Sequence, residues 1–300
     1  MMTLVAAGLM VVAQSTDSVP ERIRARIAEE RGAQVGLAYV DLGSGDTLFL
    51  NADTSFHAAS TMKVPVMIEL FRRANTGSFR MNQGLLMVNQ FASIVDGSLY
   101  SLDSSSDSDT TLYRRIGERV RVDTLLRLMI TRSSNLATNT LITLVGADAV
   151  TRTMRSLGAQ RIQVLRGVED GKAFDRGLNN TTTARDLALI LRAIEEGRAA
   201  SPAATREMLG ILLAQEFNEK IPAGLPAGTR VAHKTGEITA VSHDAAIVYP
   251  PGRKPYVLVV LTRGISDGDK ASKLIADISA LVYAHSSSAA AGTASRQVSN

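Results

Sequence analysis

Strand-like runs lie at the two ends of this chain and helical patterns fill its middle. That distribution restricts the fold more than any single motif. Gln34-Val35-Gly36-Leu37-Ala38-Tyr39-Val40-Asp41 reads as a strand, and Gly43-Ser44-Gly45-Asp46 as a hairpin turn into Thr47–Leu50. Three further strand-like runs, Arg230–Lys234, His243–Tyr249 and Tyr256–Thr262, come some 180 residues later (230 − 50). Between the two groups, Val122–Thr131, Ala137–Val145, Asp148–Leu157, Ala184–Glu196 and Pro202–Gln215 carry apolar residues at helical spacing, and the chain from about Asn82 to Gln215 is expected to be mostly helical. Helices are also expected over Pro20–Arg31 and Lys270–His285.

Strands this far apart bury their apolar faces by pairing with one another, so the fold class is α+β: one antiparallel sheet assembled from both chain ends, with flanking helices and an inserted all-helical lobe. A single catalytic domain is expected over residues 20–285, its α/β lobe being about 20–59 and 220–285 and its helical lobe about 60–219. The cleft between such lobes is the natural place for a site. Hydrophobic residues make up 45% of the 300, enough for a sizeable core. The net charge of +4 comes from scattered Lys and Arg without interleaved aromatics, which argues against a nucleic-acid partner. The absence of cysteine excludes disulfides and thiolate chemistry.

At the N-terminus, the apolar run Leu4–Ala13 ends in Val11-Val12-Ala13 and is followed by polar Gln14-Ser15-Thr16-Asp17. This reads as the hydrophobic and cleavage parts of a secretory signal over residues 1–13, although no Lys or Arg precedes the run. The run is too short to span a bilayer. The expectation is an exported, periplasmic or secreted protein, monomeric and without stable membrane insertion. The polar Ser286–Asn300 stretch reads as a disordered tail, and Ser98–Thr111, rich in Ser and Asp, as a surface loop.

Three short motifs fall at the joints of this plan. Ser60-Thr61-Met62-Lys63 opens a helix expected over Ser60–Arg73, with Pro65 in its first turn. A serine at a helix start faces unpaired N–H groups, and a desolvated lysine one turn on can take its proton. An S-x-x-K pattern alone turns up by chance about once in a chain of this size. Ser133-Ser134-Asn135 lies between two helices, where a serine is ordinarily a cap. Lys234-Thr235-Gly236 ends a strand, offering a point charge, a hydroxyl and room for close backbone approach.

S-x-x-K, S-x-N and K-T-G each occur once, in that order, on a helix start, an interhelical turn and a strand. The chain therefore resembles the penicillin-recognising serine hydrolases, and class A β-lactamase-like proteins most closely, over roughly Arg22–Tyr283. The resemblance implies the β-lactamase/transpeptidase-like fold and a set of roles. Ser60 would be the acylated nucleophile, Lys63 its proton acceptor, and Ser133 the donor to the leaving nitrogen. Asn135 would bind the substrate's side-chain amide, and Lys234 and Thr235 would hold the carboxylate of a β-lactam or a D-Ala-D-Ala peptide. Gly236 would leave the strand room to approach. Backbone N–H groups of Ser60 and Glu237 would form the oxyanion hole, and no cofactor is needed.

Deacylation separates members of that superfamily. Glu169, in the loop Arg166–Asn180, stands where the family's water-activating glutamate belongs when counted from Ser133. The surrounding loop departs from the family pattern. Glu169 is one residue too far from Arg166, Ala173 stands at the place of a water-binding asparagine, and Asn180 replaces the aspartate that pairs with the loop arginine, with Asp170 and Asp175 as candidate substitutes. Ser242-His243-Asp244 occupies the position of a carboxylate-binding arginine, leaving Arg263 and Arg230 as candidate cations. The readings are a β-lactamase, a D,D-peptidase of cell-wall metabolism, or a non-catalytic β-lactam or muropeptide-binding protein on the same fold. His233 and His243 are read as structural, like Met67, Leu70 and Phe71.

Overall fold

The structure is a computed structural model that describes residues 18–297, so the expected signal segment lies outside the described residues. In chain order the elements are α1 (Val19–Ala28), β1 (Gln34–Asp41), β2 (Thr47–Leu50), β3 (Phe56–His57) and α2 (Lys63–Asn75). Then come β4 (Gly84–Leu86), β5 (Phe91–Ala92), β6 (Leu99–Tyr100), β7 (Arg119–Arg121), α3 (Val122–Thr131), α4 (Asn135–Val145), α5 (Ala147–Ser156) and α6 (Gly171–Asp175). The chain closes with β8 (Thr181–Thr182), α7 (Ala184–Glu195), α8 (Pro202–Leu212), β9 (Arg230–Ile238), β10 (Val241–Tyr249), β11 (Tyr256–Arg263) and α9 (Gly268–Gln297).

Five strands form the main sheet in the order β2-β1-β11-β10-β9, each neighbouring pair antiparallel. The first and last of the long strands meet at its centre, Gln34 opposite Arg263 and Asp41 opposite Tyr256. Alternate residues of β11 serve two cores. Tyr256, Leu258 and Val260 pack with Ile275 and Ile278 of α9, while Val257, Val259 and Leu261 join the core of the helical region. With both faces covered, these strands read as unbroken apolar runs.

Local chemistry explains the boundaries. Ser18 and Glu21 close a capping box at the start of α1, and Thr183 and Ser201 accept hydrogen bonds from Asp186 N and Ala204 N at the starts of α7 and α8. The expected β1, β2 and α3 spans agree with the structure residue for residue. Four features differ. Residues 84–121 form no α-helix, only a 3₁₀ turn over Thr111–Arg115: β4 pairs with β7, and β5 with β6 around the turn at Gly97, whose φ is +73°. Glycines and short polar clusters break that stretch before a helix can propagate. α7 belongs to the expected helical lobe, yet packs on β1, β10 and β11. β9 continues through Lys234-Thr235-Gly236 to Ile238 instead of ending there. α9 runs on to Gln297, past the expected stop at His285.

Candidate active site

Ser60 lies on a short 3₁₀ turn, Ala59–Met62, that runs into α2, so the nucleophile candidate precedes the α-helix instead of opening it. Pro65 is the third residue of α2. The turn is held from both sides. Ala58 N donates to Asn180 O at 2.8 Å, Ala59 N to His57 Nδ1 at 3.0 Å, and Thr61 Oγ1 to Ala58 O at 2.5 Å. Ala59 sits at φ +44°, a left-handed conformation costly for a residue with a Cβ. Ser60 is half-buried between buried Ala59 and Thr61.

β9 is an edge strand of the main sheet and packs against this turn. A Cβ at Gly236 would come within 3.1 Å of Ser60 N and 3.0 Å of Thr61 N. Any larger residue would press the strand off this turn by a few tenths of an ångström, and the closeness sets backbone groups of two elements around one point.

Lys63 is fully buried. Its ammonium donates to Ser133 O at 2.6 Å, Ser133 Oγ at 3.1 Å and Asn135 Oδ1 at 2.9 Å. Burial pushes its pKa down to about 7, opposed by the charges of Asp107 and Glu169. Lys234, also fully buried, donates to the same Ser133 Oγ at 3.1 Å and to Thr235 O at 3.0 Å. Burial, and after it the charge of Lys63, holds Lys234 well below the ordinary lysine value. A serine hydroxyl has two acceptor sites and one proton. With both acceptor sites taken by lysines, the Ser133 proton is left for a third partner. Ser133 is itself at φ +57°.

Glu169 Oε1 accepts from Asn135 Nδ2 at 2.7 Å, so one amide bridges Lys63 and Glu169. Burial raises the Glu169 pKa, while the Asn135 hydrogen bond lowers it. The residue stands at φ +61°, held on either side. On one side the Asn139 amide pairs with both Val168 N (2.6 Å) and Val168 O (3.0 Å). A Cβ at Gly167 would fall 2.4 Å from Asn139 Oδ1. On the other side buried Asp170 accepts from Ser93 Oγ at 2.9 Å, Ile94 N at 3.0 Å and Ala173 N at 3.1 Å. Residues in strained backbone persist only where their surroundings over-determine them, and these three do so at one site.

Asp170 is thus a tether to the β5–β6 hairpin and not an ion-pair partner of Arg166. The guanidinium donates to Leu178 O, Gly167 O and Asn179 Oδ1, at 2.9, 3.0 and 3.0 Å. Asn180 holds the loop ends through its amide, accepting from Leu165 N and Arg166 N and donating to Arg166 O. Ala173 is buried.

Neither candidate arginine faces the cleft as a free cation. Arg263 bonds Gln34 Oε1 and Ser55 O and lies over the Phe56 ring, and Arg230 lies over Tyr249. The sequence reading missed Lys220, which is 1% exposed and reaches Glu237 Oε2 at 3.3 Å, and whose charge bears on Lys234. Nothing in its immediate sequence distinguishes Lys220 from a solvated lysine; its partner Glu237 stands 17 residues on, in β9. His233 pairs with buried Asp244 at 3.0 Å, and His243 Nε2 lies 2.8 Å from His57 O. Among the described residues no group of three or more His, Asp or Glu side chains is placed to hold a metal.

The structure thus links Lys63, Ser133, Asn135, Glu169 and Lys234 in one hydrogen-bonded chain and brings Gly236 against Ser60. Thr235 is 5% exposed on the same strand, and Glu237 follows with its side chain 56% exposed. Residues 18–286 match the model of the "Beta-lactamase enzyme family". Beta-lactamase AST-1 of Nocardia asteroides is 30% identical over 273 residues, covering 89% of this chain and 84% of that protein. A solved β-lactamase from Sphaerobacter thermophilus superposes with a TM-score of 0.75 at 30% identity, covering 88% of this chain and 95% of its own. The structure of PBP-A gives 0.79 at 28% identity, covering 90% and 96%. The chain belongs to the β-lactamase enzyme family.

Proposed function

We propose that this protein is an exported, monomeric serine hydrolase that opens β-lactam rings through an acyl-enzyme. Neutral Lys63 takes the Ser60 proton as Oγ attacks the lactam carbonyl. The oxyanion is received by the backbone N–H groups of Ser60 and Glu237, each such donor ordinarily supplying about 2.7–4 kcal/mol. The proton passes from Lys63 through Ser133 to the departing nitrogen. Lys234, Thr235 and Lys220 hold the substrate carboxylate, and Asn135 its side-chain amide. Glu169 then takes a proton from water, the water attacks the ester, and Ser60 leaves with its proton restored.

One observation carries the hydrolytic part of this reading. The amide of Asn135 joins Lys63, at 2.9 Å, to Glu169, at 2.7 Å. An enzyme that only acylates has no use for a carboxylate held at that place. The slow D,D-peptidase reading draws on Ala173, which offers no side-chain oxygen to help hold a water.

Intact-mass measurement after mixing with benzylpenicillin tests the proposal. The unaltered protein should show an adduct that forms and clears within seconds as product accumulates, and Glu169→Ala should keep the adduct. An adduct that persists for hours on the unaltered protein would favour the peptidase reading, and no adduct would leave a β-lactam-insensitive hydrolase or a binding protein. Unchanged turnover in Glu169→Ala would remove that residue from the mechanism.

A further inference from the structure

The Ser/Asp-rich stretch before β7 is not an idle surface loop, because its middle turns inward. Asp107 is 7% exposed, and its carboxylate collects four donors. Both oxygens lie 2.9 Å from Asn135 N, Oδ2 lies 3.0 Å from Leu136 N and from Tyr113 Oη, and Oδ1 accepts from Asp109 N at 3.1 Å. The two amides of α4 are its first, which have no partner inside the helix and favour a negative charge. Ser134, in the middle of the S-x-N motif, accepts from Ala137 N at 3.3 Å and leaves those two amides to Asp107. Burial raises the Glu169 pKa, and the Asp103 backbone of the same loop acts to lower it.

We propose that Asp107 is the positioning residue of both half-reactions, pinning the root of Asn135 so that its amide stays between Lys63 and Glu169. This rests on the reading that Lys63 acts in acylation and Glu169 in deacylation. The logic is geometric. Asn135 reaches Lys63 with its oxygen and Glu169 with its nitrogen, so a rotation at its root misplaces both reacting groups at once. The charge of Asp107 has a second consequence. The charged groups acting on Lys63 are Asp107 from this loop, Glu169 from the Arg166–Asn180 loop and Lys234 from β9. Removing one of the two negative charges disfavours the protonated lysine.

The test is single-turnover kinetics with a chromogenic cephalosporin, run across pH on Asp107→Ala, Asp107→Asn and Glu169→Ala. Asp107→Ala should lower the acylation and deacylation constants together, by roughly 10²-fold, as expected when reacting groups are misplaced by about an ångström. Asp107→Asn keeps an acceptor for α4 and should recover much of both constants. Its acylation profile should carry an acid limb moved to lower pH, which a loss of general stability would not produce. Constants within about threefold of the parent in Asp107→Ala would overturn the proposal. So would an unmoved acid limb in Asp107→Asn, and that variant decides the matter if Asp107→Ala does not fold. Unchanged turnover in Glu169→Ala would instead sink the hydrolase reading, whatever the Asp107 variants do.

Discussion

The two walls of the cleft are built by different physics. On the acylation wall, Lys63 and Lys234 are fully buried on α2 and β9, and they converge on one hydroxyl at the α3–α4 turn. Three packed elements fix that point, and low dielectric tunes its charges. On the hydrolysis wall, Glu169 sits on a loop tethered by amides and one buried carboxylate: Asn139 to Val168, Asn180 to the loop base, Asp170 to the β5–β6 hairpin. The buried guanidinium of Arg166 is met by two carbonyls and an amide, with no carboxylate among its hydrogen-bond partners. On the proposed mechanism, capture of a substrate would then rest on the core and its release on a separable segment, joined through Asn135.

The largest expected effect lies on the first wall. Ser60→Ala should abolish covalent labelling by benzylpenicillin, read by intact mass and peptide mapping; labelling of any other residue at the parent's rate would sink the assignment. Asp170→Ala should separate the walls. Deacylation should slow by roughly tenfold or more while acylation stays within a few-fold, because only the Glu169 tether is loosened. An equal fall in both constants would show the walls to be one unit. The smallest effect is a gain. Asn179→Asp would place a charge on Arg166 and should add about 1 kcal/mol, seen as a rise in melting temperature of roughly 2 °C. A fall would mean that the neutral tether is already optimal.

Sequence pattern made the sheet and most helices legible, because β1 and β11 are unbroken apolar runs and α3 and α7 carry apolar residues at helical spacing. Ser60, Lys63, Ser133 and Lys234 stood out because each belongs to a short spaced motif, although Lys234 lies inside β9 and not at its end. What stayed hidden depends on contacts distant in the chain. Lys220 looks like any solvated lysine until the fold buries it beside Glu237, 17 residues on. Asp107 looks like loop composition until α4, 28 residues on, presents its amides. The pairings within residues 84–121 went unread because strands of two or three residues leave too little alternation to detect.

The central pairing of β1 with β11 has a consequence for how the protein comes into being. Gln34 and Arg263 are partners across 229 positions, and Lys234 arrives on β9 shortly before that contact closes. Until β9–β11 emerge, β1 has only β2 beside it, a two-stranded ribbon that is marginal in water. Such long-range closure is slow to form. On the mechanism proposed above, a half-made chain would hold Ser60 without the strand that brings Lys234 and Gly236 to it.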